Sequence, residues 1–306
     1  MRLKSIFFGT PEFAIPTLNA LAELTDLRLV VTQEDKRKGR GKKLLPTPVK
    51  ERAQALKIPV YQPENINTPE ALQRLRDEDP DLFIVVAYGQ ILKKELLEIP
   101  KRYIMNVHSS LLPRHRGAAP MQWAILAGDE KTGVSFMQIE EGLDSGPVYD
   151  TRSIEIGDKN FGEVHDLLAD MGADLLKQFI QDMESGEITF NEQDDSLATY
   201  ASKIDYDLLA IDARELTADE ALRKVRAFSP EPGAHFMMQG ERLKIYEAER
   251  SDEDLAPGEF KSTKKKLFIG MKEGSLSIKE LQRPGKKRMP VGSYLAGAHL
   301  PERGEV

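Results

Sequence analysis

Between residues 82 and 87 the chain reads Leu-Phe-Ile-Val-Val-Ala with no polar interruption. A run this short is a strand, and a strand apolar at every position must be covered on both faces. The rest of the first half supplies the covering. Short apolar runs at 5–8, 27–32, 103–107 and 133–139 read as further strands. Helical patterns fill the gaps at 47–56, 68–77 and 118–127. Gly9-Thr10-Pro11 gives a turn, an N-cap and a proline at N1, so a helix is expected from Pro11 through about Leu24. Strand–helix alternation of this kind implies an α/β fold, a Rossmann-like doubly wound and mostly parallel sheet. Ligands of such sheets sit beyond the carboxyl ends of the strands.

The second half reads differently. Asn160 with Glu163 three residues on forms a capping box, and apolar spacing then carries a long helix to about Met183. Residues 190–206 are polar and aperiodic, a linker. Thr217-x-x-Glu220 caps one more helix, ending near Phe228. Short alternating runs at 242–246, 266–269 and 275–278 follow, divided by Gly and Pro. They predict a small all-β, OB-like barrel. The expected organisation is an α/β domain over 1–189, the linker over 190–206, and the barrel over 207–306.

Composition removes several chemistries. With no cysteine, thiolate metal sites, disulfides and cysteine nucleophiles are excluded. His108, His115, His165, His235 and His299 are scattered without an HExxH pair, so no metal is expected. No apolar stretch approaches the roughly 20 residues of a membrane helix, and no signal-like segment opens the chain. A cytoplasmic protein with no membrane partner, and a monomer, is expected. Net charge is −7, yet residues 36–52 carry eight basic side chains against the single acid Glu51. Residues 33–46, with Gly39 and Gly41 and no periodicity, read as an exposed flexible loop. Alone, the basic run reads first as a solvated loop.

The chemistry concentrates at Asn106-Val107-His108, at the end of a predicted strand. Residues 106 and 108 share a face because strand side chains alternate. An amide can donate to a developing oxyanion, and an imidazole can donate, accept or carry charge near neutral pH. By itself the pair also fits a hydrogen-bonded strand end. A second cluster, Gly142-Leu143-Asp144-Ser145-Gly146, follows another strand. Spacing alone makes Asp144 an Asx-turn residue.

Taken together these motifs resemble a known family. Asn106-x-His108, then Ser110-Leu111-Leu112-Pro113-x-x-Arg116-Gly117-Ala118-Ala119-Pro120, then Gly142-Leu143-Asp144-x-Gly146 resemble the formyltransferases that use 10-formyltetrahydrofolate. Phe8-Gly9-Thr10-Pro11-Glu12-Phe13, Gly39-Arg40-Gly41-Lys42-Lys43, Tyr200-Ala201-Ser202-Lys203-Ile204 and Arg226-Ala227-Phe228 resemble the members acting on methionyl-tRNA. Ser109 and Trp123 depart from the commoner glycine and arginine. The resemblance implies transfer of a formyl group from 10-formyltetrahydrofolate to the α-amino group of methionine on initiator methionyl-tRNA, for translation initiation. It implies that Asn106 and His108 hold the formyl oxygen and that Asp144 orients or charges His108. Ser110, Leu111, Leu112 and Pro113 match the folate-lining stretch, and Gln90, Ile91 and Leu92 the loop whose backbone meets the pterin. Arg40, Lys42 and Lys43 would contact the tRNA, as would Lys264, Lys265, Lys266, Lys286, Lys287 and Arg288 on the barrel. Two other readings stay open: an acceptor that is a nucleotide-linked amino sugar, and a non-catalytic RNA-binding protein on the same frame.

Overall fold

The computed structural model describes residues 2–38, 43–298 and 300–306. The chain forms two compact units, one of Met1–Pro120, Thr132–Ile154 and His165–Ala201, the other of Met121–Lys131, Glu155–Val164 and Ser202–Val306.

The first unit is built on a seven-stranded sheet. Its elements in order are β1 (Lys4–Gly9), α1 (Ile15–Leu24), β2 (Asp26–Val31), β3 (Lys36–Lys38), β4 (Lys43–Leu45), α2 (Pro48–Ala55), β5 (Val60–Tyr61), α3 (Pro69–Arg76), β6 (Leu82–Val86), α4 (Lys94–Leu97), β7 (Tyr103–His108) and β8 (Arg116–Gly117). After α5 (Pro120–Ala127), which but for its first residue belongs to the second unit, come β9 (Lys131–Gln138), β10 (Val148–Glu155), α6 (Phe161–Ser185), whose first turn is also assigned to the second unit, and β11 (Tyr200–Ala201). The strand order is β10-β9-β7-β6-β1-β2-β5. Pairings among β5, β2, β1, β6 and β7 are parallel, and β9 runs antiparallel to β7. Every residue of β6 is buried, as its unbroken apolar run requires. Order reverses between β1 and β6, so their carboxyl ends open the crevice where such sheets take ligands. Thr47 and Thr68 cap α2 and α3 by accepting from Lys50 N and Ala71 N, each with proline at the first position. Asn160 and Glu163 close their box reciprocally, at 2.9 and 3.1 Å.

Three elements differ from the sequence-based expectation. No α-helix starts at Pro11. A 3-10 turn occupies Glu12–Ala14 and α1 begins at Ile15. Thr10 does not cap it, because its hydroxyl donates to Tyr88 O at 2.8 Å and ties the two strand-end loops of the crevice. Pro16, lacking an N–H, then sits harmlessly in the first turn of the helix. Around residues 39–42, which lie outside the described residues, β3 and β4 pair as an antiparallel ribbon rather than a loop. Its base is held by Asp35, which accepts from Gln62 and Lys50 at 2.7 Å each. Finally, β10 was not expected. Its charged outer half masks the alternation, and Tyr149, packed edge-on against Phe136 and Phe179, anchors it.

The second unit holds α7 (Ala218–Ala227), β12 (Ala234–Met238), β13 (Glu241–Ser251), β14 (Glu259–Ser262), β15 (Leu267–Gly270), β16 (Ser275–Gln282), β17 (Met289–Pro290), α8 (Val291–Gly297) and β18 (Arg303–Glu305). The strands make one antiparallel sheet, β12-β13-β16-β15-β14-β18, with β17 on β16. It curls around Phe236, Leu243, Ile245, Phe260, Leu267 and Ile278 as a half-barrel. The capping box of Thr217 and Glu220 starts α7 as its sequence predicts. Among the described residues no helix is long and apolar enough to cross a membrane.

Candidate active site

Strand β7 ends at His108, and its register pairs Asn106 with Val85 on one side and Met137 on the other. That places both side chains at the carboxyl end of the sheet, beside the β1–β6 reversal. His108 is 5% exposed, and its Nε2 lies 3.0 Å from His115 O. A carbonyl only accepts, so Nε2 carries the proton. Nδ1 faces Asp144 Oδ2 at 3.6 Å, too long for a hydrogen bond. The Asn106 side chain is half-buried at the same strand end, with no hydrogen bond found to its amide among the described residues.

Asp144 is not simply an Asx-turn residue. Its Oδ2 accepts the Gly117 N–H at 2.8 Å, linking the loop after β9 to β8. A charge-assisted bond of this kind contributes about 1.5–3 kcal/mol. Both His115 (φ 58°) and Asp144 (φ 49°) adopt left-handed backbone. That conformation costs an L-residue roughly 1–2 kcal/mol, so surrounding contacts must enforce it. Two glycines are required by space. A Cβ on Gly146 would stand 2.1 Å from Gln138 O, and one on Gly117, whose φ is +121°, would stand 2.6 Å from Ala201 O.

The enforcing contacts come from the polar segment after α6, which the sequence reads as a linker. Gln193 Nε2 donates to Asp144 O at 2.9 Å and to Gly146 O at 2.7 Å. Its Oε1 accepts from Arg116 Nε at 3.1 Å and Nη2 at 2.8 Å. Arg116 is 3% exposed and also reaches Asp195 at 2.7 Å. Thr199 takes the His115 N–H on its hydroxyl at 2.9 Å and the Arg116 N–H on its carbonyl at 2.8 Å. β11 completes the clamp by pairing with β8.

The geometry is therefore an amide, an imidazole and a carboxylate gathered at a strand end over a doubly wound sheet, which suits acyl transfer. Comparison with known proteins agrees. Residues 1–180 match the formyl transferase family and residues 203–299 the formyl transferase C-terminal domain. The chain belongs to this family. The methionyl-tRNA formyltransferase of Geobacter metallireducens is 42% identical over 301 residues, 97% of this chain and 96% of that one. An N-formyltransferase from Helicobacter canadensis, in complex with folinic acid and dTDP-3-aminofucose, matches with a TM-score of 0.67 and 20% identity over 92% of this chain and 100% of that one. HypX from Aquifex aeolicus, in complex with tetrahydrofolic acid, matches with a TM-score of 0.65 and 18% identity over 97% of this chain, which spans 47% of HypX. At those identities the structural likeness is one of fold.

The remaining expected positions of this formyl transferase fall as follows. Ser110 is fully buried and donates its hydroxyl to Arg114 O at 2.6 Å, which leaves half-buried Leu111, Leu112 and Pro113 to offer apolar surface. Gln90 turns its side chain away, accepting from Ile66 N at 2.9 Å and donating to Pro63 O at 3.2 Å. Ile91 is 83% exposed, and Leu92 packs on the core under β6. Arg40 and Lys42 lie outside the described residues, while Lys43 opens β4 with its side chain exposed. In the second unit Lys264, Lys265 and Lys266 are exposed on the β14–β15 turn, and Lys286 and Lys287 on the β16–β17 turn. Since β15 and β16 are antiparallel, with Leu267 opposite Ile278, both turns project at one end of the sheet. Arg288 is committed elsewhere, its guanidinium 3.5 Å over the Tyr246 ring and bonded to Pro230 O. Trp123 is half-buried and donates to Ser202 O at 2.8 Å, rather than filling a core.

Proposed function

We propose that this formyl transferase moves the formyl group of 10-formyltetrahydrofolate onto the α-amino group of methionine carried by initiator tRNA. The observation that carries the reading is the Asn106 amide on the same strand face as His108, whose Nε2 meets His115 O at 3.0 Å and whose Nδ1 faces Asp144 at 3.6 Å. The amine attacks the formyl carbon, a C–N bond forms, and the carbonyl oxygen gains negative charge. Asn106 donates to that oxygen, and the His108 Nε2–H, exchanging its bond to His115 O for one to the substrate, donates as well. Collapse breaks the bond to the folate nitrogen, which takes the proton the amine gives up. Asp144 keeps the imidazole oriented and balances its charge while that proton moves. The backbone at 90–92 and the apolar surface of Leu111, Leu112 and Pro113 receive the folate. The folate fits because the site offers it an unspent amide and half-buried apolar side chains rather than a packed interior.

RNA would be held by cations around the β3–β4 ribbon, Arg40, Lys42 and Lys43, and by the lysine turns at one end of the second sheet. On the same reading the enzyme works in the cytoplasm as a monomer, which light scattering on a sizing column checks. The direct test offers charged initiator tRNA, charged elongator tRNA and a nucleotide-linked amino sugar side by side with 10-formyltetrahydrofolate. Formylation of the initiator tRNA well above the other two is expected. Preference for the sugar would move the acceptor assignment, and tRNA binding without transfer to any acceptor would refute the enzyme.

A further inference from the structure

Gln193 sits in a segment that composition marks only as polar, yet one side-chain amide there joins two loops of the site. Its NH2 bonds two carbonyls of the Asp144 turn, at Asp144 O and Gly146 O, 2.9 and 2.7 Å away. Its oxygen receives two N–H groups of Arg116, at 3.1 and 2.8 Å. Carbonyls only accept and a guanidinium only donates, so this orientation of the amide alone satisfies every partner. Arg116 directly follows His115, whose carbonyl holds His108 Nε2. The amide therefore couples the turn facing Nδ1 to the residue beside the carbonyl facing Nε2. The turn needs such a tie, because Asp144 holds a φ of 49° that L-residues rarely adopt. Gln193 itself bonds neither Asn106 nor the His108 ring.

We infer that Gln193 is a positioning residue that sets the Asp144 carboxylate against His108 and affects turnover only through Asp144. The inference rests on the roles proposed for His108 and Asp144 above. Gln193→Met keeps the chain length and removes all four bonds. Gln193→Glu keeps an acceptor for Arg116 but turns oxygen toward two carbonyls, which repel it.

Both variants should lower kcat by about 10²-fold, the loss typical of a catalytic group displaced by about an ångström. KM for 10-formyltetrahydrofolate and for methionyl-tRNA should stay within about threefold of wild type, since no substrate contact is removed. On an Asp144→Asn background Gln193→Met should cost less than about threefold, because no carboxylate remains to position. Equal losses on both backgrounds, or a wild-type kcat in Gln193→Met, overturn the inference. Crystal structures of the wild type and Gln193→Glu give a readout that needs no activity: the Nδ1–Oδ2 separation should lengthen and the turn shift. An unmoved turn overturns the inference even if turnover has fallen. Should the wild type transfer no formyl group to any acceptor, the functional reading falls while the crystallographic comparison still decides what Gln193 does.

Discussion

Two aspartates of the first unit hold left-handed backbone, and their surroundings differ. Asp79, with φ 50°, lies on the turn before β6, at the opposite end of the sheet from the site. Asp144, with φ 49°, lies at the site. The Asp79 carboxylate is half exposed and flanked by Lys101 Nζ at 2.6 Å and Lys4 Nζ at 2.9 Å. The hydrogen bond from Lys101, then that from Lys4, holds its carboxyl down at about 2. Asp144 is mostly buried and is met by a backbone N–H at 2.8 Å and an imidazole at 3.6 Å. One turn is neutralised by full charges in water, where ion pairs are worth little. The other directs its charge at the edge of a buried imidazole, 3.6 Å away. The same backbone device thus serves as plain architecture at one end and as chemistry at the other.

The contrast breaks or sharpens under substitution. Removing the imidazole of the site should have the largest effect: His108→Ala is expected to lower turnover by at least about 10²-fold while tRNA still binds, measured by kcat and by titration of labelled tRNA. Asn106→Ala should lose a comparable about 10²–10³-fold, as expected for one oxyanion donor, with KM little changed. Next comes the turn itself. Gly146→Ala forces a Cβ toward Gln138 O and should cost about 2 kcal/mol in urea unfolding, along with turnover. Lys43→Ala should leave folate binding intact and reduce the salt slope of tRNA binding by about 1.

The smallest effect belongs to the architectural aspartate. Asp79→Asn should leave formyl transfer at the wild-type rate and move the unfolding midpoint little at neutral pH. The folded carboxyl lies below the 3.8 of an ordinary aspartate, at about 2, so its contribution is present above 3.8 and disappears as pH falls through about 2. Melting curves of wild type and variant should therefore converge below pH 2. A large loss of turnover in Asp79→Asn would erase the distinction between the two turns.

Much of this was legible in the chain. The buried run at 82–86, the threonine and asparagine caps and the alternating runs after Phe228 each report local physics that a window of a few residues contains. The pairing of Asn106 with His108 followed from strand alternation alone. What escaped was decided at long range. Thr10 reads as a cap until Tyr88 O competes for its hydroxyl 78 residues away. β10 is a strand because Tyr149 packs on Phe136 and Phe179, which no alternation within 148–155 reveals. The stretch 190–206 looks like a tether by composition, and polarity is equally what a chain needs to bond buried Arg116 and two loop carbonyls.

The amino-acid sequence determined which segments become strands and helices, where several of them begin, and which side chains share the end of β7. Only the tertiary structure decided that Asp144 faces His108 and that Gln193 and Thr199 hold the loops in place. Short-range order is fixed by propensity, capping and periodicity, which act within a turn or a strand. Convergence of residues 36 or 49 positions apart depends on how the loops at the strand ends satisfy their hydrogen bonds, and that is settled only when the whole unit has packed.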